Sequence, residues 1–419
     1  MSQMTTPPST TSRKVSPGVQ FSRKVELNRA ERQAFVMEQE PQRLSMDDMR
    51  QIVMSAVMSG ATDITFQSDQ QLRGEAHGIL YRMTRRPLAP SEVDMILLEL
   101  YGGANAKTEI NGMNVLDFSY ELNLPDGTRQ RFRVNATGIL GRDERSVEIT
   151  MRALPRTTPD RHFVGLAEWE IEAMSPKDGM VVVAGATGSG KSTTMAAVIR
   201  HHLESIERPV KIVDFQAPIE YTYRDVMARL AGSSSIIGQS EIGRHVRDFA
   251  QGVHSGLRRK PFIMVVGEAR DFETIAASLE AALTGHLVYT TTHAGTVSNA
   301  IRRLLTTFPG NERESRAYDL ISSLQFVMVQ HLVPRIDIPG RVPVREYLKI
   351  TDRIRDALLD QPVNAWPGII QREMEDPALQ RGPDDMRKSL RESCGFFLDK
   401  GMISEADARL IAKIRKGSP

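Results

Sequence analysis

Gly185-Ala186-Thr187-Gly188-Ser189-Gly190-Lys191-Ser192-Thr193 matches the phosphate-loop pattern, in which spaced glycines precede a lysine and a hydroxyl residue. Glycines let successive backbone N–H groups turn inward around phosphate oxygens. Lys191 would supply a cation to the β- and γ-phosphates, and the Ser192 hydroxyl a ligand to Mg2+. The mechanism requires a strand before the loop and a helix after it. Both are legible: Gly179–Ala184 reads as a buried strand and Lys191–Leu203 as a helix, whose positive dipole end points at the anion. ATP or GTP binding is expected of Gly185 through Thr193.

Beyond this loop, strands and helices alternate. Val210–Phe215, Phe262–Gly267 and Leu287–Thr291 read as strands, and Ile242–Gly256, Thr274–Leu283 and Val297–Leu305 as helices. Continuous apolar strands between amphipathic helices predict a doubly wound, mainly parallel α/β sheet covered on both faces, here over residues 166–350. Ligands of such sheets bind at the carboxyl edge. Phe262–Gly267 delivers Glu268 to that edge, and Val210–Phe215 runs through Gln216-Ala217-Pro218-Ile219 to Glu220. Two carboxylates near a Mg2+-bound phosphate suit water activation and metal-water coordination. His293, beyond Leu287–Thr291, is placed to donate to the γ-phosphate and report its presence.

The preceding residues carry a different pattern. Residues 1–43 are rich in Ser, Thr and Pro with little hydrophobic periodicity, and are expected to form a flexible arm. Residues 44–154 read as a smaller α+β domain. Its helix around Met46–Met58 starts at Ser45 or Asp47 and stops at Gly60, and a second helix covers Pro90–Leu100. Its strands are Asp63–Phe66, Leu72–Ala76, Gly78–Met83, Val115–Leu122, Arg129–Ala136 and Ser146–Arg152, with Pro125-Asp126-Gly127 as a turn. Residues 155–165, with Pro155 and Pro159, read as a flexible linker, and residues 351–419 as a helical C-terminal part.

Composition removes several function classes. Of 419 residues 40% are hydrophobic, enough for folded cores and too many for a wholly disordered chain. Lys and Arg number 54 against 52 Asp and Glu, a net charge of +2, whereas a dedicated duplex-DNA binder is usually more lopsided. The sequence has no aromatic-basic segment of the kind that tracks a single strand, so direct nucleic-acid binding is not expected. The single cysteine, Cys394, excludes an intrachain disulfide and a Cys-rich metal site. No apolar run reaches the roughly 18 residues that a membrane-crossing helix needs, and Met1 to Ser16 lacks the apolar core of a secretory signal. The chain is expected to be soluble and cytoplasmic, without direct membrane insertion.

Taken together, Gly185–Thr193, Pro218-Ile219-Glu220, Gly267-Glu268-Ala269-Arg270-Asp271 and Thr284-Gly285-His286-Leu287-Val288 with Thr292-His293 stand in the order of four boxes of the PilT-like secretion ATPases. Ala61-Thr62-Asp63-Ile64, Asp117-Phe118-Ser119-Tyr120 and Arg131-Phe132-Arg133-Val134-Asn135-Ala136 resemble the first domain of that family. Within it, Gln239-Ser240-Glu241-Ile242 and Leu257-Arg258-Arg259-Lys260-Pro261 look most like the DotB and TraJ branch of type IVB secretion and conjugative plasmid transfer. Gln216 and Ala217 depart from the family's usual acids, while Glu220 is in place.

The resemblance implies a PAS-like N-terminal domain, a RecA-like P-loop NTPase domain and a homo-hexameric ring. It further implies Glu220 as catalytic base, Glu268 serving metal and water, and His293 sensing nucleotide. The N-terminal domain of such rings supplies arginines to the nucleotide, and Arg131, Arg133 and Arg152 are the matching residues. ATP and Mg2+ are the implied cofactors. The implied partners are inner-membrane and cytoplasmic components of a secretion or conjugation channel, which recruit the protein peripherally to the inner membrane. A type IV pilus retraction motor and a nucleotide-gated assembly scaffold stand as alternatives.

Overall fold

The computed structural model describes residues 39–76, 79–124, 127–141, 146–230, 232–376 and 386–412. Most of the expected arm, Gly78 of an expected strand, Pro125 and Asp126 of the expected turn, and residues 377–385 and 413–419 of the expected helical C-terminal part lie outside these residues. The chain divides into two compact units, Met1–Leu154 and Pro155–Pro419.

The N-terminal unit runs α1 (Met46–Met58), β1 (Asp63–Gln67), β2 (Arg73–Ala76), β3 (Ile79–Arg82), α2 (Pro90–Tyr101), α3 (Ala106–Asn111), β4 (Leu116–Asn123), β5 (Arg129–Ile139) and β6 (Ser146–Ala153). Ser45 caps α1 in a capping box with Asp48, and left-handed Gly102 closes α2. Among the described residues its six strands form one antiparallel sheet in the order β3-β2-β1-β6-β5-β4. Strand alternation gives the sheet two unlike faces. Ile64, Phe66, Phe132, Val134, Ile149 and Met151 pack with Ile52, Val53, Ile96 and Leu97 of the helices in one core. Arg131 and Arg133, two apart on β5, share the opposite face with Arg152, which lies directly across from Arg133.

The C-terminal unit runs α4 (Glu168–Ala173), β7 (Gly179–Ala184), α5 (Lys191–Glu204), β8 (Lys211–Gln216), α6 (Arg224–Arg229), β9 (Ile236–Glu241), α7 (Phe249–Leu257), β10 (Ile263–Val266), α8 (Phe272–Leu283) and β11 (Leu287–Thr292). It continues with α9 (Val297–Thr306), α10 (Arg313–Ser323), β12 (Leu324–Pro334), β13 (Arg341–Lys349), α11 (Asp352–Leu359), α12 (Trp366–Glu375), β14 (Arg387–Lys388), α13 (Leu390–Asp399) and α14 (Glu405–Ala412). Its sheet order is β14-β13-β12-β7-β11-β10-β8-β9. The strands from β12 to β9 in that order pair in parallel, and β13 and β14 add antiparallel at one edge. Every residue of β7, β10 and β11 is buried, because helices cover both faces and divide the core into two layers. Among the described residues no helix is long and apolar enough to cross a membrane.

Four differences from the sequence expectations have local causes. The helix expected from Ile242 begins at Phe249, where Asp248 accepts the N–H of Gln251, and after β9 ends at Glu241 the chain first turns through a bridge between Ile242 and Val246. The long strands β12 and β13 carry residues that the periodicity left unassigned. The stretch read as a flexible linker is tied into the C-terminal unit. Thr158 is 3% exposed, donates to Thr222 O at 2.8 Å, and its carbonyl accepts from Arg200 at 2.7 Å. The C-terminal helical stretch includes β14, and its α13 packs Leu390 and Cys394 on Val342 and Val344 of β13.

Candidate active site

The four strands β7, β11, β10 and β8 are neighbours and run parallel, so the loops leaving them meet at one edge. Those loops carry the phosphate-loop motif, His293, Glu268 and the Gln216–Glu220 segment, respectively. Register brings them level: Thr292 pairs with Ala184, and Val266 pairs with both Thr290 and Phe215. Main-chain bonds knit the ends, from Gly185 N to Thr292 O (3.3 Å), Gly267 N to Phe215 O (2.8 Å) and Ala269 N to Thr291 O (2.9 Å).

The loop itself depends on glycine at its hinge points. Gly188 and Gly190 have φ of 75° and 84°, where a side chain would be strained. Lys191 folds its ammonium back onto the loop, donating to Gly185 O at 2.8 Å and Ala186 O at 3.0 Å. Burial lowers the Lys191 pKa, while the negative charges of Glu268 and Glu220 oppose that fall. Thr193 Oγ1 lies 3.0 Å from the Tyr221 hydroxyl, joining the first turn of α5 to the segment after Glu220.

Glu268 sits between Arg270 and His293. Arg270 Nη2 donates to Oε2 at 2.6 Å, and His293 Nε2 lies 3.1 Å from Oε1. Burial would raise the Glu268 pKa, but the hydrogen bond and charge of Arg270, with His293 and Lys191 beyond, hold it below its usual range. Glu220 and Ser192 line one small cavity of about 30 Å³ together with Gln216, Gly267 and Thr291. A larger cleft of about 540 Å³ is lined by Phe163, Gly190, Thr193, Leu332 and Tyr221, the last shared with the small cavity.

These groups fit a metal-nucleotide ligand. A hydroxyl at Ser192 and carboxylates at Glu220 and Glu268 are hard oxygen donors of the kind Mg2+ takes alongside phosphate oxygens. Glu268 Oε2 already accepts from Arg270 and Oε1 lies against His293, but each has a second lone pair for a metal-bound water. Ser189 Oγ is buried in the loop without a hydrogen-bond partner, a polar atom suited to a ligand oxygen.

The structure thus gathers Gly185–Thr193, Glu220, Glu268 and His293 at one edge. Arg131, Arg133 and Arg152 belong to the other unit, each beside an acid. Arg133 makes a two-pronged pair with Asp117 (2.6 and 3.2 Å), Arg152 bonds Asp63 (2.7 Å), and Arg131 lies 4.0 Å from Glu121. Sequence reasoning missed Gln330 and Arg345, buried at 2% and 5% exposure behind the loop. Asp214, 2% exposed beneath the small cavity, was also missed. Its position inside the expected strand Val210–Phe215 was the available signal, since a carboxylate amid a buried apolar run needs partners.

Residues 38–363 match the family described as Type II/IV secretion system protein. The crystal structure of the Legionella pneumophila ATPase DotB superposes with a TM-score of 0.80 at 36% identity, covering 90% of this chain and 98% of that one. The structure of the pilus retraction motor PilT with bound ADP superposes with a TM-score of 0.71 at 27% identity, covering 88% and 97%. The type IV pilus retraction ATPase PilT of Pseudomonas aeruginosa is 29% identical over 88% of this chain and 98% of its own length.

Proposed function

The chain belongs to the type II/IV secretion system protein family and is an ATPase with a RecA-like P-loop domain, and on that basis we propose that it is a hexameric motor of a type IVB-like secretion or conjugative plasmid transfer system. The motor works at the cytoplasmic face of the inner membrane, recruited there by channel components. One observation carries the reading: four adjacent parallel strands deliver the phosphate loop, His293, Glu268 and Glu220 to a single edge. The likeness to a DotB ATPase supports the type IVB branch, as do Ala217 and the Gln239–Ile242 segment.

In the proposed mechanism the N–H groups of Gly185–Thr193 receive the phosphates of ATP, and Lys191 exchanges its two loop carbonyls for phosphate oxygens. Mg2+, when bound, neutralises phosphate charge, with Ser192 and Glu268 as the residues that would hold it. Glu220 takes a proton from the attacking water as its oxygen bonds to the γ-phosphorus. The bond to the β-γ bridging oxygen breaks, and its electron pair leaves with ADP. Arg270 keeps Glu268 ionised, and His293, paired to Glu268, registers whether the γ-phosphate is present. Arg131, Arg133 or Arg152 gives up its acidic neighbour to stabilise the transferring phosphoryl group.

Phosphate release by the purified full chain, with its mass measured in the same ATP buffer, tests this reading. Turnover by a six-fold assembly is expected, whereas an inert, monomeric protein that still binds ATP would point to a scaffold instead. The likeness to PilT favours a second load, pilus retraction. Deleting the gene separates the two: loss of secretion or plasmid transfer is expected, and loss of twitching alone would contradict the assignment.

A further inference from the structure

Gln330 on β12 and Arg345 on β13 face each other in the antiparallel ladder. Arg345 distributes its buried guanidinium over three neutral oxygens. Nε donates to Gln330 Oε1 at 2.8 Å, Nη1 to Gly165 O at 2.8 Å, and Nη2 to Val164 O. Burial pushes its pKa down to about 10, with the Glu170 charge opposing. Such a placement is costly, so a hydrophobic residue of similar size would serve packing alone at least as well.

Gln330 is engaged at both ends of its carboxamide. Oε1 also accepts from Thr194 Oγ1 at 2.9 Å, and Nε2 donates to Ser189 O at 2.7 Å. Its main-chain carbonyl lies against Gly185, so one residue touches both ends of the phosphate loop. At Gly190 a Cβ would come within 2.8 Å of Gln330 Nε2, which makes this approach possible only to glycine.

We propose that Arg345, acting through Gln330, is a positioning residue that holds the Ser189–Gly190 peptide of the phosphate loop in its anion-receiving orientation. The proposal rests on the reading that this loop binds the phosphates of ATP. In a trans peptide the carbonyl and the N–H point in opposite directions. Tying Ser189 O to Gln330 therefore turns the Gly190 N–H the other way, toward the concave side of the loop. Glycine at 190 makes the peptide easy to flip, so the orientation needs an external restraint. A carboxamide alone is ambiguous, because half a turn exchanges its donor and acceptor. Arg345 is a pure donor and removes the ambiguity by accepting only Oε1 as its neighbour. The same guanidinium holds Val164 and Gly165, and Val164 lines the 540 Å³ cleft beside Gly190.

The test compares ATP hydrolysis, fluorescent-ADP binding and thermal unfolding for full-length wild type, Gln330→Glu, Arg345→Met and Arg345→Lys. Gln330→Glu keeps acceptors for Arg345 and Thr194, turns the donor to Ser189 O into a second carboxylate oxygen, and places its added charge against the Arg345 guanidinium. It should raise KM about tenfold and weaken ADP binding to match, with kcat changed less than about threefold and the unfolding temperature near wild type. Arg345→Met should give the same KM shift, Arg345→Lys should recover part of it, and the double variant Gln330→Glu/Arg345→Met should be no worse than either single change. An unchanged KM and ADP affinity in Gln330→Glu, with wild type active, overturns the proposal. A folded Arg345→Met with wild-type KM and ADP affinity also overturns it, and if that variant does not fold, Arg345→Gln takes its place. A wild type that neither binds nor cleaves ATP removes the underlying nucleotide reading, and this proposal with it.

Discussion

Each unit buries a carboxylate, and the two are treated in opposite ways. Glu92 on α2, 3% exposed, receives Arg86 through two bonds of 2.7 and 2.8 Å, together with the N–H groups of Leu44 and Ala89. Burial would raise its pKa, but the Arg86 bond and the two amides hold it below the usual range. Asp214 on β8, 2% exposed, has among the described residues the carboxamides of Gln216 (2.6 Å) and Gln239 (2.8 Å) and no cation. Here burial wins, and the pKa is pushed up to about 6. The contrast extends to cations. Arg131, Arg133 and Arg152 of the N-terminal sheet lie against acids, whereas Lys191 and Arg345 donate to carbonyls and an amide. A cation paired with an acid must give up that partner before it can serve a ligand. Charge held by neutral dipoles around a phosphate loop stays available to a ligand.

Lys191→Ala should have the largest effect, lowering phosphate release about a thousandfold without unfolding the protein. Activity within a few-fold of wild type would erase the distinction between the two regions. Arg86→Met should come next, leaving Glu92 buried without its cation and costing about 3 kcal/mol in urea unfolding. Because the Glu92 pKa is lowered on folding, its contribution exists above about pH 4.5 and fades as pH falls through the folded value. Glu92→Gln should remove that acid sensitivity.

Asp214→Asn should act with the opposite sign. The Asp214 pKa is raised from 3.8 to about 6, so folding takes up a proton between those values, and stability declines as pH rises through about 6. The variant should be more stable than wild type at pH 7 by about 2 kcal/mol and lose the advantage near pH 4. Urea titrations at both pH values check this, and equal stability at pH 7 would contradict the uncompensated burial. The smallest effect is expected at the arginines. At least one of Arg131→Ala, Arg133→Ala and Arg152→Ala should lower kcat about tenfold while unfolding normally. Wild-type kcat in all three would confine them to the ion pairs seen in the N-terminal sheet.

The two regions also differ in what their sequences disclose. β4 and β5 alternate residue by residue, so the burial of Phe118, Phe132 and Val134 and the exposed face of Arg133 follow from the letters alone. In the C-terminal unit the phosphate loop is legible because glycine spacing and a flanking strand and helix agree. Glu268 and His293 are legible because each follows an apolar run that must end at the sheet edge. The strands β12 and β13 were missed, since a nearly continuous apolar run such as Leu324–Val333 fits a buried helix as well as a strand. Gln330 and Arg345 were hidden for a deeper reason. A lone glutamine and a lone arginine read as solvated side chains until a ladder between β12 and β13 sets them face to face. The early start given to α7 was avoidable, because Asp248 three residues before Gln251 is an N-cap signal.

The proposed chemistry separates binding from cleavage at one residue, Glu220. Nucleotide affinity and phosphate release measured together on purified wild type and Glu220→Gln test it most directly. The account predicts that the variant binds ATP as tightly as wild type and retains it uncleaved. Phosphate release by the variant at the wild-type rate would contradict the account.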